Sequence, residues 1–180
     1  MELETKYCAG DGEVTLTAGH VIEGYASLFG ATDQGGDMVE AGAYGRWLGD
    51  LKTRGGRVAM LWQHEPGTPI GVWDEVREDD RGLYVRGRLI LETQRGAEAA
   101  ALISGGAIDG LSIGYRTRKA GRSAKGGRLL QDIELWEVSL VTFPMLPDAR
   151  VGAKRDEAVE APWREFAAAL RTASRELAEG

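Results

Sequence analysis

Three kinds of side chain in this sequence could together cleave an amide or ester bond: a serine, a histidine and a carboxylate. Ser112 lies between glycines in Gly110-Leu111-Ser112-Ile113-Gly114, and His64 follows the apolar run Val58–Trp62. A serine hydroxyl is a weak nucleophile at neutral pH and needs a base within hydrogen-bonding distance, which is most often histidine. Ser112 and His64 are therefore a candidate nucleophile and base, and the alternative for His64 is a structural residue at a strand end.

The residues around Ser112 match the G-x-S-x-G pattern of α/β-hydrolases, but that fold requires a histidine after the serine. The chain has two histidines, His20 and His64, and both precede Ser112, which excludes that fold. His20 lies between short polar runs, which indicates an exposed turn residue. Ser112 is instead predicted inside a strand, where the flanking glycines allow another backbone to approach.

A catalytic histidine also needs an acceptor for its second ring nitrogen. Downstream of Ser112 the candidates are Asp132, Glu134 and Glu137. Strand alternation places Leu135, Glu137 and Ser139 on one face and Glu134 on the other. Glu137 lies deeper in the apolar run, where an unpaired carboxylate would be costly, so it is favoured over Glu134. The alternative is that either glutamate is a solvated strand position.

The elements that must position these residues are mainly strands, and a few helices accompany them. Period-two alternation predicts strands and period-3.6 spacing predicts helices. Strands are predicted at 14–16, 21–29, 58–62, 70–77, 83–91, 111–115 and 129–143, helices at 40–54 and 92–103, and a basic glycine-rich loop at 119–128. Sequential strands with one strong helix between them favour an α+β, mainly β fold with a mostly antiparallel sheet or barrel. Ser112 and His64 are expected to meet across neighbouring strands.

Length and composition predict one folded domain with a tail, since the chain has 180 residues, of which 43% are hydrophobic and 28% charged. Residues 1–12 are predicted to be a flexible N-terminus, 13–150 the folded domain, and 151–180 a charged linker and an amphipathic helix. The net charge of −6 does not favour nucleic-acid binding.

Other functional classes are disfavoured by what the sequence contains. A single cysteine, Cys8, excludes an intramolecular disulfide and a multi-cysteine zinc site. No apolar run approaches the roughly 20 residues that cross a membrane. The first residues lack a hydrophobic signal core, so a soluble intracellular protein is expected.

Several segments carry a resemblance to a known family. In chain order they are Gly24–Phe29, Asp33 with Gly36-Asp37, Trp62–Glu65, Pro69–Gly71, Gly110–Tyr115 and Glu134–Pro144. From about residue 20 to 150 the sequence resembles the prohead maturation proteases of tailed bacteriophages, and most closely the short versions carried by gene transfer agents. The resemblance implies a β-barrel surrounded by helices, as in the herpesvirus assembly proteases, with 13–150 as the protease domain. It also implies a tight turn near the active face at Asp33, Gly36 and Asp37.

The implied activity is that of a serine endopeptidase. It would cut capsid-protein and scaffold extensions, and itself, inside the immature capsid in the bacterial cytoplasm. By position, His64 is the general base and Ser112 the nucleophile. The herpesvirus relatives use a second histidine as third member; here an acid must replace it, with Glu137 favoured over Glu134.

The partners implied are the capsid-protein precursor and the scaffold as substrates, with a homodimer or assembly inside the prohead as an open alternative. No metal, organic cofactor, nucleic acid or membrane is implied. A catalytically idle capsid-assembly module is the competing hypothesis, and an esterase using the same serine is a third.

Overall fold

The structure is a computed structural model that describes residues 4–7, 15–33, 35–123 and 126–142. These ranges contain nine strands and two helices. Their bounds are β1 Glu4–Tyr7, β2 Thr15–Thr17, β3 Val21–Leu28, β4 Met38–Val39, α1 Gly45–Thr53, β5 Ala59–Trp62, β6 Glu65–Glu78, β7 Gly82–Leu89, α2 Gln94–Ser104, β8 Gly110–Arg122 and β9 Arg128–Val141.

All of these strands belong to one sheet, which confirms the prediction of an α+β, mainly β fold. The order is β1-β8-β9-β5-β6-β7-β3-β2, and β4 also pairs with β9. Most neighbours are antiparallel, but β4 and β5 both run parallel to β9. The long strand β9 therefore has β8 on one side and β5 on the other. Ser112 is on β8, and His64 follows β5.

The prediction of a closed barrel is wrong for the described part of the chain. The sheet path ends at β1 on one side and at β2 on the other, and no described ladder joins the two ends. Both end strands are short, with four residues in β1 and three in β2, and short edge strands are a common way to terminate a sheet. Strand periodicity is the same in an open and a closed sheet, so the sequence could not distinguish them. The likeness to the herpesvirus proteases stays a prediction.

The predicted hairpin of two strands around an acidic turn is confirmed as β6 and β7. Asp79 organises the turn, because its Oδ1 accepts the N–H groups of Arg81 at 2.9 Å and Gly82 at 3.2 Å. Burial raises the pKa of this carboxyl, but hydrogen bonds from Tyr25, the Arg81 and Gly82 N–H groups and Arg77 outweigh burial and lower the pKa to about 2. The turn is thus tied to β3 through the Tyr25 hydroxyl, which lies 2.8 Å from Asp79 Oδ2.

The two predicted helices are present and lie against the sheet. The first begins later than predicted, at Gly45, after turns at 41–44. It is fixed to β9 by Trp47, whose indole Nε1–H donates to the Leu135 carbonyl at 2.7 Å. The second begins at Gln94 and is capped by Thr93, whose side chain accepts the Gly96 N–H at 3.0 Å.

Two further sequence predictions need correction. Glu4–Tyr7, expected to be part of a flexible N-terminus, pairs antiparallel with β8. The predicted loop 119–128 is shorter, because β8 continues to Arg122 and β9 begins at Arg128. Cys8, the segment 151–180 and its predicted helix lie outside the described residues. Within the described ranges, no helix is both long enough and apolar enough to cross a membrane.

The core is one cluster of buried hydrophobic side chains. Strands β3 and β5 to β9, helix α2 and the turn before α1 all contribute to it. Its largest fully buried members are Tyr44, Tyr115, Ile22, Met60, Ile70, Leu83, Ile103, Leu111, Ile113, Leu130, Ile133 and Leu135. Burying this many apolar side chains is the main stabilising contribution to the fold. The polar residues buried with them therefore need a specific explanation.

Candidate active site

Ser112 lies near the start of β8, in a stretch where all residues from Gly110 to Tyr115 are buried. Its side chain is fully buried, and its Oγ lies 2.6 Å from Nε2 of His64. The sequence prediction that these two side chains meet is confirmed. They do not meet across neighbouring strands, however, because β9 lies between β8 and β5.

His64 follows β5 in a turn with an uncommon backbone conformation. Gln63 has φ 50° and His64 has φ 63°, and a non-glycine residue in this region costs roughly 1–3 kcal/mol. The end of β9 and the residue after it hold the turn. Gln63 N–H donates to the Leu140 carbonyl at 2.9 Å, and Gln63 Nε2 donates to Thr142 Oγ1 at 2.7 Å. The imidazole is thereby directed towards β8, over β9.

Glu137 provides the acceptor for the second ring nitrogen. Its Oε1 lies 2.5 Å from Nδ1 of His64, and its side chain is 6% exposed. A carboxylate at Nδ1 favours the tautomer that carries the proton there, which leaves Nε2 as an acceptor for the Ser112 hydroxyl. Ser112, His64 and Glu137 therefore form one continuous hydrogen-bond chain.

Glu134, the alternative third member, is not part of this chain. Its carboxylate is also buried, but it accepts a hydrogen bond from Arg118 Nε at 2.6 Å and forms an ion pair with that guanidinium. His20 likewise lies elsewhere, in the turn between β2 and β3, with Nδ1 2.8 Å from the Ala18 carbonyl oxygen. The expectation that His20 is a turn residue is confirmed.

Strand register shows where simple alternation fails on β9. Leu135 pairs with Tyr115, but Glu137 pairs with Gly114, so Trp136 is an extra residue at a bulge. The bulge moves Leu135 to the core face and leaves Glu137 on the opposite face. The prediction that these two residues share a face is therefore wrong. Glu134, opposite Arg116 on β8, shares the face of Glu137.

Two residues support the site in ways that the sequence did not indicate. The first is Gly114, which pairs with Glu137; a Cβ at Gly114 would lie 2.1 Å from Glu137 Oε1. The space that a side chain would fill is occupied by the carboxylate, not by another backbone as the sequence suggested. The second is Ser139, which pairs with Ser112 and is fully buried. Its Oγ donates a short hydrogen bond to Glu137 Oε2.

The loop at Asp33–Asp37 forms the expected tight turn, with Gly36 N–H donating to the Asp33 carbonyl at 2.9 Å. Its expected position near the active face is wrong. Asp37 accepts from Arg128 Nε at 3.0 Å, at the first residue of β9, nine residues and roughly 30 Å along the strand from Glu137. The hydrogen bonds that the Arg128 guanidinium donates to Asp37, and then those to Glu4, raise its pKa. This cluster stabilises the far end of β9.

A serine, a histidine and a carboxylate in one hydrogen-bond chain are the arrangement of serine hydrolases, in which the histidine activates the hydroxyl. Within the described ranges, no cluster of three or more histidine, cysteine, aspartate and glutamate residues could hold a metal ion. The class that the site defines is a serine hydrolase on a mostly antiparallel β-sheet.

Comparison with known proteins agrees with this class. The chain belongs to the family of caudovirus prohead serine proteases, whose family model matches residues 10–162. It is 36% identical over 157 residues to the prohead protease of Enterobacteria phage HK97, covering 86% of this chain and 66% of that protein's length. The structure is also similar to that of the bacteriophage T4 capsid assembly protease, with a TM-score of 0.60 and 19% identity over 79% of this chain and 97% of the other.

Proposed function

We propose that this chain is a serine endopeptidase that cleaves capsid-protein and scaffold extensions during maturation of the prohead. Family membership supports the assignment, and the observation that carries it is the hydrogen-bond chain from Ser112 Oγ through His64 to Glu137 Oε1, with links of 2.6 and 2.5 Å. The Ser112–His64 link is within the range in which a base takes a proton directly, and the His64–Glu137 link holds the imidazole in orientation.

In the proposed mechanism, His64 Nε2 takes the proton of the Ser112 hydroxyl as Oγ attacks the scissile carbonyl carbon. The resulting imidazolium is stabilised by the Glu137 carboxylate at Nδ1, and it then donates its Nε2 proton to the leaving amine. A water molecule, deprotonated by His64, hydrolyses the acyl-enzyme and returns the serine to its starting state.

Burial of the site affects how a protein substrate reaches it. Ser112 is fully buried, whereas the His64 side chain is 16% exposed. A peptide must therefore displace neighbouring chain before its carbonyl contacts Oγ. We expect cleavage to depend on docking of the capsid or scaffold substrate within the prohead, while the prohead assembles in the host cytoplasm. Equal cleavage of peptide by dilute protein and by assembled particles would contradict this dependence.

The direct test is mass spectrometry of the capsid-protein precursor co-expressed with the wild-type chain or with Ser112→Ala. We expect a shortened precursor with the wild type and a full-length precursor with the variant. The same spectra report self-cleavage, which we expect only in the wild type. A full-length precursor in both samples would refute the protease and support an idle assembly module, whereas hydrolysis of small esters alone would indicate an esterase.

The particle in which the enzyme acts is a further part of the proposal. The resemblance of the sequence to the versions carried by gene transfer agents supports such a particle as an alternative to a phage. Sequencing the DNA packaged in particles from the producing cells distinguishes them, because a gene transfer agent carries host fragments and a phage carries its own genome.

A further inference from the structure

We infer that Ser139 is a positioning residue, which aligns both Glu137 and the His64 turn through one hydroxyl group. This inference rests on the proposed function and extends the site to a fourth side chain. Ser139 lies on β9 two residues after Glu137, opposite Ser112 on β8 and opposite Leu61 on β5. On β9, Ser139 therefore lies between the strand that contains the nucleophile and the strand that leads to the base.

The first contact of Ser139 fixes the carboxylate. Its hydroxyl donates to Glu137 Oε2, while Glu137 Oε1 accepts from His64 Nδ1. A buried carboxylate with one oxygen unsatisfied is free to rotate, and the unpaired oxygen carries a desolvation cost. With both oxygens bonded, the carboxylate plane is fixed by Ser139 on the same strand and by His64 in the turn after β5, and Oε1 is held towards the imidazole.

The second contact fixes the backbone of the base. The Ser139 Oγ accepts the His64 N–H at 3.3 Å. A hydroxyl has one donor and two acceptor positions, so it can donate to the carboxylate and accept the amide at the same time. His64 has φ 63°, a conformation that persists only where the surroundings hold it. Ser139 thus couples the position of the turn to the position of the carboxylate.

The test compares Ser139→Ala with a matched control, Ser27→Ala. Ser27 is also fully buried, lies on β3 outside the site, and its Oγ has no hydrogen-bond partner among the described residues. We expect Ser139→Ala to lower kcat roughly 10- to 100-fold with little change in KM. The rate at which a small fluorophosphonate labels Ser112 should fall by the same factor. Ser27→Ala should have the wild-type value of both.

A spectroscopic measurement tests the positioning independently of turnover. In ¹⁵N-histidine-labelled protein, the His64 Nδ1–H that is bonded to Glu137 should give a strongly downfield proton signal. The His20→Gln background leaves His64 as the only histidine. We expect the signal to move upfield or broaden in Ser139→Ala and to stay unchanged in Ser27→Ala. If the alanine variant does not fold, Ser139→Cys fills the position with a thiol, which donates only weakly, and the same changes are expected.

The possible failures can be distinguished. Absence of labelling of the wild-type chain in assembled proheads, with an identical result for Ser112→Ala, would refute the proposed function, while the proton signal would still report on Ser139. A wild-type kcat and an unchanged signal in a folded Ser139 variant would overturn the positioning role. Equal losses in the Ser139 and Ser27 variants would also overturn it, because the effect would then be that of removing any buried hydroxyl.

Discussion

Gly114→Ala should lower kcat about 100-fold by displacing the carboxylate of Glu137. In the structure a Cβ at this position would lie 2.1 Å from Glu137 Oε1 and 2.7 Å from its Cδ. An unstrained contact needs about 3.5 Å, so the carboxylate must move by roughly 1 Å or more. The residue cannot move without losing its hydrogen bonds to His64 Nδ1 and the Ser139 hydroxyl.

The size of the effect follows from how sharply catalysis depends on alignment. A misplacement of about 1 Å can cost roughly 100-fold in rate, which corresponds to about 2.7 kcal/mol in the activation barrier. Stability should change less, because the displaced atoms are the end of a flexible side chain and alanine is favoured over glycine in a strand by roughly 0.5–1 kcal/mol. We therefore expect kcat to fall about 100-fold in a variant that still unfolds cooperatively.

The assay is steady-state cleavage of a peptide that spans the capsid-precursor cleavage site, with thermal unfolding measured on the same samples. Gly121→Ala is the matched control, since it lies on the same strand and the nearest atom to its added Cβ is Gln131 Oε1 at an ordinary 3.6 Å. The control should retain wild-type kcat. A kcat for Gly114→Ala within twofold of the wild type would refute the reasoning that Glu137 must occupy this space.

Two further predictions concern carboxylates that the structure separates. Glu137→Gln should lower kcat by about 10³- to 10⁴-fold, because an amide cannot stabilise the imidazolium in the same way, whereas Glu134→Gln should leave kcat within a fewfold of wild type; the reverse result would transfer the role to Glu134. Asp79→Asn should lower the free energy of unfolding by roughly 1–2 kcal/mol at neutral pH. Its folded pKa of about 2 is below the ordinary 3.8, so this stability is present above about pH 4 and is lost as pH falls towards 2. Denaturant unfolding of the variant and the wild type across that range should therefore converge; a constant difference would contradict the assignment.

The sequence was informative where chemistry limits the residue types. Ser112 and His64 could be selected because only two histidines exist and one of them follows an apolar run. Burial shows that Glu137 is not a solvated strand position, but it does not distinguish Glu137 from Glu134, because both side chains are buried. What separates them is the register with β8, where Glu137 faces Gly114 and Glu134 faces Arg116. A register that depends on a bulge at Trp136 cannot be read from alternation.

Long-range pairing was the other property that the sequence did not predict. The hairpin of β6 and β7 follows from local signals, namely alternating strands around a turn. The parallel pairing of β5 with β9 joins Ala59–Trp62 to residues 137–140, and no local pattern marks it. The position of Ser139 between His64 and Glu137 depends on this ladder, so its contact with the base could not be anticipated even though alternation placed it beside Glu137.

The central place of β9 has a mechanical consequence for the site. Strand β9 and the residue that follows it provide the carboxylate of Glu137, the hydroxyl of Ser139, and the Leu140 and Thr142 groups that hold the turn at His64. The same strand has ladders on both sides, with β8 and with β5. A strand hydrogen-bonded along both edges has little freedom to shift, so the base and the acid move together or not at all. Changes in activity on assembly should therefore arise from access to Ser112 rather than from rearrangement of His64 relative to Glu137.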